Sequence, residues 1–264
     1  MDQKQTWWQS YKILINTEVY WQIGPLHLWI QHLKHEWKIA YIREEDPLKN
    51  THHWQSHDVL SNLADKEDIF RVGMEKDHHA IMLSPKLADR AVVAQAENPL
   101  TILPGEKLTI YISSPLWIEA KDLESQKQFF EIPIYRPSDT WFGPNVREGE
   151  LCYASRTYCR LNLEEVPIRP HRAITALHLN NKTHDNILLE KISLPIPYLS
   201  LFLSQDGQLW TESLILEQSK EEASPVRIQN SPPKDIKIAQ KLSEPRIKKH
   251  KNLALRMLGG LLPW

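Results

Sequence analysis

The stretch that decides the fold is residues 169–216, RPHRAITALHLNNKTHDNILLEKISLPIPYLSLFLSQDGQLWTESLIL. It contains four short apolar runs separated by Asn, Asp, Gly or Pro, at residues 173–179, 187–194, 198–203 and 208–216. Runs of this length with such punctuation are typical of β-strands rather than helices. The polar residues 180–186 predict a hairpin loop, and the pair Asp206 and Gly207 predicts a tight turn because glycine tolerates positive φ. The stretch therefore predicts an antiparallel meander.

A strand at residues 151–161, LCYASRTYCRL, precedes the meander and divides its side chains between two faces. Arg156, Tyr158 and Arg160 share one face, which we expect to be hydrated or to bind a ligand. The other face is expected to pack in the core, and it carries Leu151, Tyr153, Ser155, Thr157, Cys159 and Leu161.

The remainder of the chain repeats this pattern. Apolar residues alternate between positions 11 and 43 and predict two successive hairpins. The predicted fold class is all-β, an antiparallel β-sandwich with two packed sheets or two small sandwich halves. We expect an N-terminal β half at 1–97, a C-terminal half at 98–219, and a linker with a basic amphipathic tail at 220–264. A short C-terminal helix is predicted at 246–258.

Composition narrows the classes of function. The 264 residues include 32 Lys and Arg against 33 Asp and Glu, a formal net charge of −1, so no nucleic-acid partner is expected. The N-terminus lacks the apolar region of a signal peptide, and no run approaches the roughly 20 apolar residues of a membrane span. We therefore expect a cytoplasmic chain with reduced thiols. Cys152 and Cys159 lie too far apart along one strand to form a disulfide, and we expect both to be structural.

Three blocks of the sequence resemble a known family. They are FGPNVREGELCYASRTYCRL at 142–161, RPHRAITALHLNN at 169–181 and LEKISLPIPYLSLFLSQDGQLWTE at 189–212. These blocks resemble the bacterial branch of the domain of unknown function 432 family. The resemblance carries no catalytic residues over to this chain. It implies a membrane-protein partner, such as a mechanosensitive channel.

Cationic residues near the 151–161 strand form the first candidate site. Arginine binds carboxylate or phosphate through two parallel hydrogen bonds, so several arginines converging on one concavity would bind an anion or an acidic partner. The alternative is that they form ion pairs with Glu164, Glu165, Glu190 or Glu212, or lie over aromatic rings. The candidate residues are Arg156, Tyr158, Arg160, Arg169, His171 and Arg172.

A second candidate site is a metal site in the stretch THHWQSHD. His53 and His57 are four positions apart, and imidazoles at that spacing can bind zinc on a helical turn. The alternative is a solvated polar loop, because twelve histidines in one chain make chance clusters common. No cofactor is expected.

The C-terminal tail is a third candidate. Its cations precede an apolar run, which suits binding at a membrane interface or in a groove on a partner. The alternative is that it folds back on the body of the protein or is disordered. The candidate residues are Lys248, Lys249, Lys251, Leu255, Leu258 and Trp264.

Two classes of function are consistent with these patterns. The first is a non-catalytic interaction or regulatory module whose sheet surface and tail contact another protein, at the inner face of a membrane. The second is a small-ligand-binding or metal-dependent jelly-roll enzyme that uses the arginine strand or the histidine loop.

Overall fold

A computed structural model describes residues 6–45, 54–59, 69–76, 78–143, 149–219 and 226–248. Regular structure in these ranges is β-strand apart from two single 3-10 turns, Leu163–Glu165 and Ile196–Tyr198, so the all-β fold class is confirmed. The strands in chain order are β1 (Ser10–Lys12), β2 (Thr17–Ile23), β3 (Leu26–Leu33), β4 (Glu36–Arg43), β5 (Trp54–Val59), β6 (Ile69–Gly73), β7 (Ala80–Leu87), β8 (Val92–Ile102), β9 (Lys107–Asp122), β10 (Gln128–Pro133), β11 (Asp139–Phe142), β12 (Glu150–Thr157), β13 (Arg172–Asn181), β14 (Ile187–Leu194), β15 (Leu201–Ser204), β16 (Leu209–Trp210), β17 (Leu214–Gln218), β18 (Arg227–Ile228) and β19 (Ile238–Ser243).

The chain divides into two compact units. Unit 1 contains Met1–Lys86, Leu116–Tyr135 and Arg169–His171, and unit 2 contains Leu87–Pro115, Arg136–Ile168 and Arg172–Trp264. This division differs from the single boundary expected near residue 97, because the chain returns to unit 1 twice. The long strand β9 passes from unit 2 into unit 1 after Pro115.

Unit 1 contains a five-stranded antiparallel sheet in the order β5-β2-β3-β4-β6. The two hairpins predicted from alternation are β2-β3 and β3-β4, and both are confirmed. Gly24 makes the first turn with a φ of +56°, and a Cβ atom there would overlap the ring of His171. The face of β2 and β3 that carries Trp21, Leu28 and Ile30 is fully buried and forms the core of the unit. Two further antiparallel pairs, β1 with β7 and β10 with the second half of β9, complete unit 1.

Unit 2 contains a four-stranded sheet, β11-β12-β8-β14, and a second set of paired strands, β9-β13-β16-β15-β19. The turn predicted at Asp206 and Gly207 is confirmed, since β15 and β16 pair antiparallel around it and Gly207 has a φ of +90°. The pairing is nevertheless mixed: β12 runs parallel to β8, and β13 runs parallel to β16 and β17.

The hairpin predicted between β13 and β14 is wrong. β13 pairs with β9, β16 and β17, whereas β14 pairs with β8 in the other sheet. The physical reason lies in burial. β13 is buried along most of its length and needs a partner strand on each side, while β14 starts with the alternation of a strand that has one exposed face.

The segment after residue 219 also differs from the expected linker. Ile238–Ser243 forms β19, which pairs antiparallel with β15, and Arg227–Ile228 pairs with β17. Proline and charged residues are common in linkers, but they are equally compatible with short edge strands. The helix predicted at 246–258 lies, beyond Lys248, outside the described residues.

Candidate functional site

The candidate site is a surface segment of unit 2, residues 156–168, called here the 156–168 segment. It begins with Arg156 and Thr157, the last two residues of β12. The hydroxyl of Thr157 accepts a hydrogen bond from the backbone N–H of Cys159 at 3.1 Å, and Cys159 has a φ of +46°. A positive φ in a residue other than glycine reverses the chain locally and ends the alternation of a strand. The predicted strand at 151–161 therefore stops four residues early.

The 156–168 segment is fixed to unit 2 through its inner side. The backbone N–H of Tyr111 donates to the carbonyl of Arg160 at 2.9 Å. The side chain of Asn162 caps the following 3-10 turn by accepting from the N–H of Glu164 at 3.1 Å. Leu163 and Val166 pack on a buried cluster formed by Ile174, Ala176 and Trp210. These contacts hold the segment in one conformation.

The outer side of the 156–168 segment displays large apolar side chains. Tyr158 is 50% exposed, Leu161 is 55% exposed and Ile168 is 46% exposed. All three lie within eleven positions of the chain, and exposed apolar side chains that form a contiguous patch mark interaction surfaces. Leu161 was expected in the core, and so was Leu151, which is also exposed. The reversal at Cys159 turns Leu161 outward.

The two arginines of the segment are already paired. Arg156 is 76% exposed and lies 3.3 Å from Glu97, and Arg160 lies 3.6 Å from Glu165. The Arg160 guanidinium also lies over the Tyr158 ring, 5.1 Å from its centroid. The structure therefore brings Tyr158 and Arg160 together. The surface carries aromatic and aliphatic groups with neutralised charges rather than a strong positive field.

Arg172 occupies a different position in unit 2. It is buried, and its guanidinium donates to the hydroxyl and the carbonyl of Ser113 and to the hydroxyl of Ser155, at 3.1–3.3 Å. Ser155 and Arg156 are consecutive residues of β12, so their side chains point to opposite faces. Arg172 therefore does not share the exposed surface of Arg156.

Arg169 and His171 belong to unit 1, where both are buried. The stretch they occupy is held by backbone contacts. The Trp7 indole N–H donates to the carbonyl of Pro170 at 2.8 Å, and the N–H of Leu116 donates to the carbonyl of His171 at 3.0 Å. These contacts give the stretch a structural role in the core of unit 1.

One histidine of the predicted metal site, His57, belongs to a described strand, β5. His57 is exposed and its ring lies 4.8 Å from that of Tyr20, while His53 lies outside the described residues. In the described part of the chain, no group of three or more His, Cys, Asp or Glu side chains is arranged to hold a metal ion.

The sequence analysis did not identify a cluster of polar side chains that lies next to His57. The Tyr20 hydroxyl lies 2.7 Å from Nδ1 of His27, and Nε2 of His27 lies 3.1 Å from Glu44, within ion-pair range but without hydrogen-bond alignment. Burial, and then the nearby Glu44 carboxylate, raise the pKa of Tyr20. The phenol is thus a hydrogen-bonding group and not an anionic nucleophile. The pairing of β2 with β3 brings Tyr20 to His27, and the pairing of β3 with β4 brings Glu44 to His27.

Both cysteines are free thiols and both are buried. Burial, reinforced by Glu150, raises the pKa of Cys152 to about 12, and burial raises the pKa of Cys159 to about 11. A thiol must ionise to act as a nucleophile, so neither is suited to covalent catalysis at neutral pH.

The root of the tail is anchored on unit 2. The Arg246 guanidinium donates to the carbonyl of Leu87 at 2.8 Å, and the N–H of Ile247 donates to the carbonyl of Pro197 at 2.9 Å. Lys248 is exposed and ends the described chain. The other tail candidates, Lys249, Lys251, Leu255, Leu258 and Trp264, lie outside the described residues.

Comparison with known proteins places the chain in a family. The family model described as protein of unknown function (DUF432) matches residues 7–258, and the chain belongs to this family. No curated protein and no solved structure gave a significant match. Within the described ranges, no helix is long and apolar enough to cross a membrane.

Proposed function

We propose that this member of the DUF432 family is a non-catalytic interaction module that binds a protein partner through the 156–168 segment. One observation carries the proposal: Tyr158, Leu161 and Ile168 are each about half exposed on a segment that is firmly fixed from behind. Tyr and Arg are enriched among the residues that dominate binding energy at protein interfaces, and Tyr158 and Arg160 already contact each other.

The fixed conformation of the 156–168 segment favours binding. Ordering a mobile loop at an interface costs free energy, and a segment held by a cap, a backbone bridge and two packed side chains avoids much of that cost. The neutralised arginines favour a partner surface that is apolar at its centre. Ion pairs such as Arg156 with Glu97 would then lie at the rim, where they affect the association rate more than the affinity.

We further propose that the module acts in the cytoplasm, with a membrane-associated partner. Two features of the sequence support this part. The tail places Lys249 and Lys251 ahead of Leu255 and Leu258, as in segments that bind anionic membrane surfaces. The family resemblance adds a membrane protein, such as a mechanosensitive channel, as a partner.

The experiment that tests the proposal is affinity purification of the tagged chain from cells that produce it naturally. A protein recovered with the wild type is identified, purified and titrated against Tyr158→Ala and against the matched control Leu188→Ala. Leu188 is 45% exposed on β14 in the same unit. Loss of a central tyrosine costs about 2 kcal/mol, so the dissociation constant should rise roughly 30-fold for Tyr158→Ala only. Equal affinities for the two variants, with unchanged melting temperatures, would rule out this surface.

A further inference from the structure

The turn between β9 and β10 in unit 1 carries a cluster of ionisable side chains that the proposed function does not use. Nδ1 of His78 lies 2.8 Å from Oδ2 of Asp122, and Nε2 of His78 lies 3.5 Å from Oε2 of Glu124. The Asp122 side chain is fully buried, that of His78 is largely buried, and that of Glu124 is exposed. The cluster therefore runs from the interior of the unit to its surface.

Backbone hydrogen bonds fix the position of this cluster. The N–H of Gln126 donates to the carbonyl of Asp122 at 3.0 Å, and the N–H of Leu123 donates to the carbonyl of Ala80 at 3.0 Å. The second of these contacts joins the turn to the first residue of β7, two positions after His78. The backbone of the cluster is thus in place before a ligand binds, which lowers the free-energy cost of binding.

The buried carboxylate sets the tautomer of His78. Oδ2 of Asp122 accepts from the N–H of Ser125 and lies at hydrogen-bond distance from Nδ1 of His78. An ionised carboxylate can only accept, so Nδ1 carries the hydrogen and Nε2 of the neutral ring carries the lone pair. The nearby Glu124 carboxylate is also an acceptor. Two acceptors 3.5 Å apart repel each other, and a cation bound between them removes that repulsion.

The charge of the cluster favours a divalent ion. With a neutral imidazole the cluster carries two negative charges, and within the described ranges no lysine or arginine forms an ion pair with Asp122 or Glu124. Oδ1 of Asp122 is buried and accepts no hydrogen bond from the described residues. A proton on His78 compensates one of the two negative charges, whereas a divalent ion compensates both.

We propose that Nε2 of His78 and a carboxylate oxygen of Glu124 bind a divalent transition-metal ion such as Zn²⁺, with Asp122 as the residue that positions the imidazole. Imidazole nitrogen and carboxylate oxygen both bind zinc, at about 2.0–2.2 Å. An ion about 2.1 Å from each of these two atoms, which are 3.5 Å apart, makes an angle of about 113° between them, close to that of tetrahedral coordination. Metal-bound histidines commonly donate their other ring N–H to a carboxylate, as His78 does to Asp122.

This site has fewer protein ligands than a structural or catalytic zinc site. Those sites have four and three protein ligands, and the described ranges contain no such group. Water completes the coordination of an ion held by His78 and Glu124. We therefore expect a reversibly bound ion that a chelator removes without unfolding the protein.

Calorimetric titration of the full chain with Zn²⁺ at neutral pH, after treatment with a chelator, tests the proposal. The twelve histidines offer other weak sites, so the readout is the difference between the wild type and each variant. Glu124→Gln changes an exposed side chain and should leave the melting temperature of the metal-free protein unchanged. It should lose the tightest equivalent of Zn²⁺ or bind it at least roughly tenfold more weakly. The matched control His57→Ala removes an exposed histidine of β5 and should bind Zn²⁺ like the wild type.

Two further measurements separate a metal site from a simple ion pair. Asp122→Asn should keep one equivalent of Zn²⁺ but bind it roughly 10–100-fold more weakly, because the imidazole is no longer oriented by a carboxylate. Co²⁺ should give the visible absorption of a four-coordinate ion in the wild type and not in Glu124→Gln. Absence of saturable Zn²⁺ binding by the wild type, equal affinities of the wild type and Glu124→Gln, or loss of binding in His57→Ala would each overturn the proposal. None of these measurements involves the 156–168 segment, so the metal site and the proposed function are tested separately.

Discussion

Replacing Asn181 by alanine should destabilise unit 2 strongly. Asn181 is the last residue of β13 and is almost fully buried. Its side-chain NH₂ group donates to the carbonyls of Ile102, Leu103 and Asp185 at 2.9–3.1 Å, and its carbonyl oxygen accepts from the N–H and the hydroxyl of Thr183. This one side chain joins the end of β8 to the loop that carries the chain from one sheet to the other.

The size of the effect follows from these contacts. The two amide hydrogens of the Asn181 side chain are shared among three carbonyls, and the two lone pairs of its oxygen accept from two donors. The substitution therefore removes about four hydrogen bonds, each worth about 1 kcal/mol. The carbonyl of Leu103 belongs to an exposed residue and can turn to water, whereas that of Ile102 stays buried. We expect Asn181→Ala to lose roughly 2–4 kcal/mol of unfolding free energy, which lowers the melting temperature by roughly 5–15 °C.

Asn180→Ala is the matched control. Asn180 makes one long side-chain contact, 3.5 Å to Glu217, so its loss should cost less than about 0.5 kcal/mol. Urea unfolding followed by tryptophan fluorescence measures both variants against the wild type. If Asn181→Ala loses less than about 1 kcal/mol, or no more than Asn180→Ala, the assigned role of Asn181 is wrong.

Two further predictions concern acid stability and the tail. Burial opposes ionisation of Asp122, but hydrogen bonds from Ser125 and the contact with His78 outweigh it and lower the pKa of Asp122. A lowered pKa stabilises the fold above the unfolded value of about 3.9, and this contribution disappears as the pH falls through the folded value. The melting temperature of the wild type should therefore fall more steeply below about pH 5 than that of Asp122→Asn, and parallel curves would contradict this reasoning. For the tail, a chain that ends at Lys248 keeps the anchoring contacts of Arg246 and Ile247, so its melting temperature should match that of the full chain. The shortened chain should no longer float with anionic phosphatidylserine vesicles. Vesicle binding equal to that of the full chain would exclude the tail as the membrane contact.

The sequence predicts local structure well where one physical rule dominates. Alternation alone locates the hairpins of β2, β3 and β4, and the glycine after Asp206 locates the turn between β15 and β16. It fails where long-range pairing decides. The loop after Asn181 has the composition of a hairpin, yet the chain crosses between sheets there, because β8 offers β14 a partner strand roughly 85–100 positions earlier in the chain.

The sequence likewise predicts one part of the candidate site and not the other. The sequence identifies Arg156, Tyr158 and Arg160 as one exposed face, and the structure places Tyr158 and Arg160 in contact on the surface. Arg172 has the same residue type but is buried against Ser113 and Ser155. Residue type does not reveal this burial, because one partner of Arg172, Ser113, is 59 positions away in the chain. Leu161 is exposed because Cys159 has a positive φ, and no residue pattern in the sequence predicts that backbone conformation at Cys159.

The most direct test of the central claim is photo-cross-linking in cells that produce the protein naturally. A benzophenone amino acid replaces Tyr158 in one strain and the similarly exposed Leu188 in another. The account predicts a discrete cross-linked product with one partner protein from position 158, competed by excess unlabelled chain, and none from position 188. No product at position 158, or the same products from both positions, would contradict the claim that the 156–168 segment is a binding surface.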